Sequence, residues 1–329
     1  MKTRFSFTFI SVVVVSTLFA SLVAGCGNRS ANQTTNQESG GLSGTVAISG
    51  AFALYPMMES WTAEFQKINP NVNFDLSAGG AGKGLADALA DAVDIGMVSR
   101  DISPEEENKG AFWVGVTKDA VFPTANAQNP VLADLLKQGV KKEIFEGIFI
   151  TGDIKTWGQV VGKPEITDEI HVYTRSDACG AAEVWAKYLG NHKQEDLLGI
   201  GVNADPGLLE AVQKDPLGIG YNNLNYAYDM ASGVPVSGTV TIPIDTNENG
   251  QADQDEILET KAEAVEMVAT GKYPSPPARI LNLVTHGKPD GIVKAFIEWI
   301  LTDGQKYVGE AGYVQLTQDQ LEASLQKLK

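Results

Sequence analysis

Thiols are scarce in this chain: Cys26 and Cys179 are its two cysteines in 329 residues. A disulfide-stapled scaffold is excluded, and if Cys26 is used elsewhere, Cys179 has no partner within the chain. Histidine is almost as rare, at three residues. An enzymatic reading therefore has one construction, with Cys179 as nucleophile and His171 or His192 as base, and His171 falls on the far side of a predicted strand–turn. Nothing else forms a nucleophile–base–orienter set, and the chain reads as a non-enzyme with no catalytic cofactor. Positive charge is also short, with 25 Lys and Arg against 41 Asp and Glu and a net charge of −16. That balance excludes a nucleic-acid partner, which needs a basic face. It does not exclude a small anion, whose binding depends on local N–H groups and single arginines.

Standard nucleotide motifs are missing as well. The glycine-rich run Ser77-Ala78-Gly79-Gly80-Ala81-Gly82-Lys83-Gly84 has Gly84 where a P-loop needs Ser or Thr, and Ser77 where it needs the first glycine. Its glycine spacing also fails the dinucleotide fingerprint by one place. A backbone nest for an anion and a tight turn without ligand both remain open there.

What is present starts with a targeting segment. Lys2 and Arg4 precede an apolar run from Phe5 to Phe19, and Leu22-Val23-Ala24-Gly25-Cys26 forms a small-residue cleavage site. The pattern resembles a bacterial lipoprotein signal, which implies cleavage of residues 1–25 and lipidation of Cys26. A single spanning helix is the alternative, weakened by Ser11, Ser16 and Thr17 and by a run short for a bilayer. Residues 26–41 are Asn, Gln, Ser, Thr and Gly with little apolar content, a flexible tether.

Beyond the tether, strands, small-residue loops and helices alternate. Thr45–Ile48 leads through Ser49-Gly50 into an amphipathic helix carrying Leu54, Met57, Met58, Trp61 and Phe65, with Pro56 in its first turn. Val72–Leu76 leads through the glycine run into Leu85–Ala92, and Asp94–Val98 ends at Ser99-Arg100. This alternation predicts parallel α/β sheets with ligands at the strand carboxyl ends. Phe112–Val116 and Ala120–Thr124 read as strand crossing into a second domain, and the chain length favours two domains. The predicted layout is 42–120 with 280–329 as one lobe and 121–279 as the other.

The most informative stretch is Tyr173-Thr174-Arg175-Ser176-Asp177-Ala178-Cys179-Gly180-Ala181-Ala182-Glu183-Val184-Trp185. A strand that turns into a helix leaves N–H groups exposed at the turn with the positive end of the helix dipole behind them, and Arg175 could clamp an anion there. A plain ion pair between Arg175 and a neighbouring carboxylate is the alternative. Farther on, Asp245 to Glu256 matches the calcium-loop pattern, with Asp245, Asn247, Asn249, the Gln251 carbonyl, Asp253 through water and Glu256 as ligands, and Gly250 at the sharp turn. A structural Ca2+ and a metal-free Asx-rich turn are the two readings.

Taken in order, these landmarks resemble the phosphate-binding proteins of bacterial and archaeal phosphate ABC importers. The resemblance runs from about Gly44 to Leu316. It rests on Gly50-to-Pro56 with Trp61, the glycine run, Asp94-Ile95-Gly96 with Ser99-Arg100, and Arg175 with Gly180. Gly218-Ile219-Gly220-Tyr221, Tyr226-Ala227-Tyr228, Tyr273-Pro274 and the closing Phe296–Val314 run complete it. It implies the two-lobed periplasmic-binding-protein fold of type II, with the ligand in the cleft between lobes. It further implies an anion held at three helix N-termini, near Phe52-Ala53, Ala81-Gly82 and Cys179-Gly180-Ala181, with Arg175, Ser99 and Arg100 around it. Where relatives usually carry Ser or Thr, this chain has Ala51, Phe52, Ala53, Ala81, Cys179 and Ala181, each a lost neutral donor of about 0.5–1.5 kcal/mol. The expected function is a lipid-anchored, monomeric binding protein in the cell envelope that delivers phosphate or a related oxyanion to ABC permease subunits. The alternative is a binder or sensor of another small anion, uncoupled from import.

Overall fold

The structure, a computed structural model, describes residues 41–329. The signal segment, most of the tether and Cys26 lie outside the described residues. Nine strands, numbered in chain order, form one sheet: eight follow the path β2-β1-β3-β9-β4-β7-β5-β6, and β8 pairs with β4 off that path. Strands β1 (Gly44–Gly50), β2 (Val72–Ala78) and β3 (Ile95–Val98) pair in parallel. So do β5 (His171–Arg175), β6 (Ile200–Val202) and β7 (Gly218–Asn223). The expectation of parallel sheets holds for these six strands only. The long strand β4 (Ala111–Asn126) and β9 (Ala278–His286) run against each other and against β7 and β3, and β8 (Thr239–Thr241) is also antiparallel to β4. The reason is the route of the chain: β4 carries it from one half of the molecule to the other, and β9 brings it back.

The apolar spacing in sequence becomes two cores. In the first, Met57, Met58, Trp61 and Phe65 line the buried face of helix Tyr55–Ile68 and meet Val46, Ile48, Phe296 and Ile300. Trp61 Nε1 donates to the Gly304 carbonyl at 2.9 Å, so the start of the chain and its closing segment share one interior. In the second, Trp157, Trp185, Phe149, Tyr221 and Phe122 pack together, all at most 1% exposed. Burying side chains of this size contributes roughly 1.5–3 kcal/mol each. β4 changes cores along its length: Val114 and Val116 belong to the first, Ala120 to Phe122 and Ala125 to the second.

Two helices begin at reciprocally bonded caps. Thr260 and Thr317 cap Lys261–Thr270 and Gln318–Leu328 with reciprocal side-chain bonds, Glu263 and Gln320 returning to the cap N–H. β8 ends at Thr241; Ile242 N–H still donates to Pro123 O at 2.9 Å, and Pro243 supplies no N–H to extend the ladder.

Candidate functional site

Three short turns converge where the two cores meet. The first follows β1. Gly50 has φ +132°, and a Cβ there would fall 2.3 Å from the Met97 carbonyl, so only glycine fits. Ala51 N–H donates to that carbonyl at 2.9 Å, and Phe52–Leu54 makes a single 3-10 turn closed by Leu54 N–H on Ala51 O. The second turn follows β2: Gly79 and Gly80 both donate to Gly50 O, and helix Ala81–Leu89 begins. The third follows β5, where helix Gly180–Tyr188 starts behind Cys179 as N-cap.

The turns touch one another. Gly82 N–H donates to Ala178 O at 3.1 Å, and a Cβ on Gly180 would meet Ser99 O at 2.2 Å. The Arg175 guanidinium lies 5.6 Å from the centre of the Phe52 ring, a cation–π contact. Each helix start has donors with no intrahelical acceptor. Gln194 takes Cys179 N–H, and Cys179 Sγ takes Ala182 N–H. Gly180 and Ala181 then carry the unclaimed donors of that helix among the described residues, as Phe52 and Ala53 do in the first turn and Ala81 and Lys83 in the second.

Arg175 is where sequence and structure diverge. Its side chain is 1% exposed and every nitrogen has a carboxylate partner. Nε and Nη2 donate to the two oxygens of Asp177 at 2.8 and 2.6 Å, and Nη1 donates to Asp205 Oδ2 at 2.5 Å. Burial works against its charge, but Asp205, Cys179 and Asp177 together outweigh burial and hold its pKa above the ordinary arginine value. Burial likewise pushes Asp177 upward, yet the Arg175 bonds and the Ala204 N–H hold it below the ordinary carboxylate range. The ion-pair alternative is thus present, in a buried form. Sequence reasoning missed Asp205, whose signal was a lone acidic residue 30 positions downstream.

A chain of bonds leads on from Asp205. Asn223 Nδ2 donates to Asp205 Oδ1, and Arg279 Nη2 donates to Asn223 Oδ1 and, at 3.2 Å, to Asp119. Asp119 and Arg279 sit on β4 and β9, the two strands that connect the halves. Burial raises Asp119 to about 6, with Arg279 opposing. No sequence pattern singled out this pair.

Arg100 also differs from expectation. Its guanidinium donates to both oxygens of Glu106 and to Asp101 O, and its Nε forms an ion pair at 3.0 Å with Glu183 on the third helix. Those bonds leave it no nitrogen without a partner to present to an anion. With Lys187–Asp101 at 2.9 Å it fastens the first half of the chain to the second instead. A cavity of about 610 Å³ opens beside this fastening, lined by Gly82, Arg100, Cys179, Glu183, Lys187 and Gln194 among others.

The thiol of Cys179 does not suit catalysis. Burial pushes it up to about 12 despite Arg175, the reverse of an activated nucleophile. His171 pairs with Asp215 at 2.7 Å, and His192 lies nearest Glu146 and Asp196.

The calcium reading of 245–256 is not supported. Asp245 accepts Asn249 and Gly250 N–H, and Glu256 turns one oxygen to Thr246 and the other to Asp253 N–H. Asp253 accepts the side-chain amides of Asn247 and Asn249, and Gln251 N–H bonds to Asn249 Oδ1. The oxygens expected to ligate a metal close the loop on itself, and no group of three or more His, Cys, Asp or Glu gathers to hold an ion among the described residues. No helix of the described residues is long and apolar enough to cross a membrane.

Comparison with known proteins places this geometry in a family. The sequence pattern of the PBP superfamily domain matches residues 35–304. "Phosphate-binding protein PstS" of Bacillus subtilis (strain 168) is 26% identical over 313 residues, spanning 93% of each chain. The protein of the same name from Methanocaldococcus jannaschii is 25% identical, spanning 90% of this chain and 88% of that protein. A substrate-binding protein from Clostridium perfringens, solved with bound phosphate, superposes with a TM-score of 0.67 at 22% identity, covering 83% of this chain and all of the other. An ABC-type phosphate transport receptor from Vibrio cholerae superposes at 0.60 with 19% identity, covering 82% and all of the other. The two structures agree with this chain in fold, an α/β body of two lobes. The chain belongs to the PBP superfamily.

Proposed function

We propose that this member of the PBP superfamily is the substrate-binding protein of an ABC importer, taking inorganic phosphate or a related small oxyanion between its lobes and passing it to membrane permease subunits. The observation that carries the reading is the set of unclaimed N–H groups on Phe52, Ala53, Ala81, Gly180 and Ala181, gathered from three helix starts onto largely buried residues. A buried donor left without an acceptor costs about 1–3 kcal/mol, and an oxyanion supplies several acceptor oxygens at once. Helix dipoles favour negative charge at that point. Gly82, Ser99 and Cys179 complete the wall, while Arg175, bonded to Asp177 and Asp205, and Arg100, tying the lobes together, contribute indirectly.

Relatives named for phosphate binding support phosphate as the ligand. The alanines at 51, 53, 81 and 181 favour a second reading, another small anion bound for sensing and not for import. In either case the ligand is bound and released unchanged, with no catalytic step. Lipidation of Cys26, anchorage in the cell envelope and a monomeric state belong to the same proposal. Calorimetry against phosphate, sulfate, molybdate, phosphonates and small carboxylates tests it. Saturable phosphate binding tighter than the others supports the importer reading, a different leading anion supports the second, and no heat with any anion overturns both.

A further inference from the structure

The cavity beside the Arg100 fastening, about 610 Å³, is larger than inorganic phosphate needs. One water takes about 30 Å³ of liquid volume, so a single tetrahedral ion fills only a small part of such a space. Pockets for small organic molecules run to about 300–1,000 Å³. Gly82 and Cys179, at the second and third turns, line this cavity as well as the anion site. The wall they make is firm. Gly82 N–H bonds to Ala178 O, and a Cβ on Gly82 would fall 2.8 Å from the Ala178 Cβ. Gln194 braces the same turn, its Oε1 accepting Cys179 N–H at 3.0 Å and its Nε2 donating to Asp177 O at 2.7 Å. Charges at the rim already pair, Arg100 with Glu183 at 3.0 Å and Lys187 with Asp101 at 2.9 Å. The rest of the polar lining is Asn191, His192, Lys193 and Glu195, of both signs, on the segment after helix Gly180–Tyr188. Such a lining suits neither an alkyl chain nor a second strong charge. It suits hydroxyl groups, which donate and accept in turn.

The helix starts agree with an organic substituent. Their donors are backbone N–H groups, and the buried Ala53, Ala81 and Ala181 place methyl groups where a hydroxyl would add another donor. A phosphate monoester has one terminal oxygen fewer than inorganic phosphate, and its bridging oxygen is a weak acceptor that needs no strong donor. We propose, on the anion-site reading above, that the protein takes phosphate monoesters of small hydroxylated groups. The phosphate sits on the N–H groups of the three helix starts, and the organic group lies in the cavity along Asn191, His192 and Lys193. The ester is bound and released intact, so the same site serves a larger class of ligand without any catalytic step.

The test is calorimetric titration of the full chain with glycerol 3-phosphate and with inorganic phosphate in the same buffer. Expected is a Kd for the ester at least about tenfold below that for inorganic phosphate, the worth of one or two net hydrogen bonds from the hydroxyls. Lys193 is exposed and lies off the helix starts, so Lys193→Trp narrows the cavity at a surface position. In that variant the two Kd values should come within about threefold of each other. Inorganic phosphate bound as tightly as the ester, or tighter, overturns the inference and leaves the anion-site reading standing. An undiminished preference for the ester in Lys193→Trp also overturns it, because the organic group then lies elsewhere. No binding of either compound overturns the anion-site reading itself.

Discussion

Replacing Arg175 with alanine tests the buried network most severely. Three N–H···O bonds of 2.5 to 2.8 Å disappear, and two carboxylates are left without their cation. Asp205 is 1% exposed and Asp177 13% exposed, so water cannot replace the lost partner without rearrangement. At an effective dielectric near 20, one unit-charge pair at this range is worth about 4 kcal/mol, and breaking a buried pair from one side costs about 3–5 kcal/mol. Against a total stability of roughly 5–15 kcal/mol, Arg175→Ala is therefore a folding variant before it is a binding variant. Asp205→Asn should behave differently. It leaves Arg175 paired with Asp177 in two bonds and keeps an amide oxygen where the carboxylate accepted, so its cost is about 0.5–1.5 kcal/mol.

Urea denaturation followed by tryptophan fluorescence measures both. With a slope near 3 kcal/mol/M, Arg175→Ala should lower the midpoint by about 1 M or more and Asp205→Asn by less than half of that. Combining the two should recover part of the loss, because the strongest stranded charge is gone. The pH limb carries the same logic. Asp177 is held below its unfolded pKa, so the stability it contributes is complete above the ordinary carboxylate value and is lost as pH falls through its lower folded one. Arg175→Ala should flatten that acid limb. An Arg175→Ala midpoint within about 0.3 M of the natural chain would refute the claim that the clamp is structurally committed.

The remaining expectations are shorter. Cys179, raised to about 12 and 6% exposed, should react with iodoacetamide at pH 8 roughly a thousandfold more slowly in the folded protein than in urea; equal rates would contradict its burial. Calcium and chelator should each leave the melting temperature unchanged within about 1 °C, since a ligand that binds the folded state raises it by mass action; a calcium-dependent rise of several degrees would restore the metal reading of 245–256. Gly180→Ala should weaken phosphate binding and loosen the junction of the lobes, because the new Cβ meets Ser99 O at 2.2 Å; unchanged affinity would mean the two turns separate freely.

Sequence was a good guide to elements and to glycines, because both are set locally. The 3.6-residue spacing of Met57, Met58, Trp61 and Phe65 dictates a buried helical face whatever surrounds it, and Gly50, Gly80 and Gly82 mark close backbone approach. The converging helix starts were therefore legible as separate motifs, although their contacts with one another were not. Charge partners were illegible for the opposite reason. Arg175 and Asp205 are 30 positions apart, and Asp119 and Arg279 are 160, so no window of sequence contains the pair. The calcium loop failed at the same level: its pattern specifies which oxygens are present, while their direction depends on whether nearby N–H groups claim them first.

That distinction changes what the alanine-for-hydroxyl pattern means. Read alone, losing neutral donors at 53, 81 and 181 weakens an anion site by a sum of small terms. The unclaimed N–H groups of Phe52, Ala53, Ala81, Gly180 and Ala181 remain at the same turns. Neutral hydroxyl donors stabilise any oxyanion, as backbone N–H groups do. For the anion site proposed above, restoring a hydroxyl, as in Cys179→Ser, should therefore tighten phosphate and sulfate by similar factors. Calorimetry on Cys179→Ser with both anions measures this, and tightening of one anion alone would place selectivity in the side-chain donors and refute the additive account.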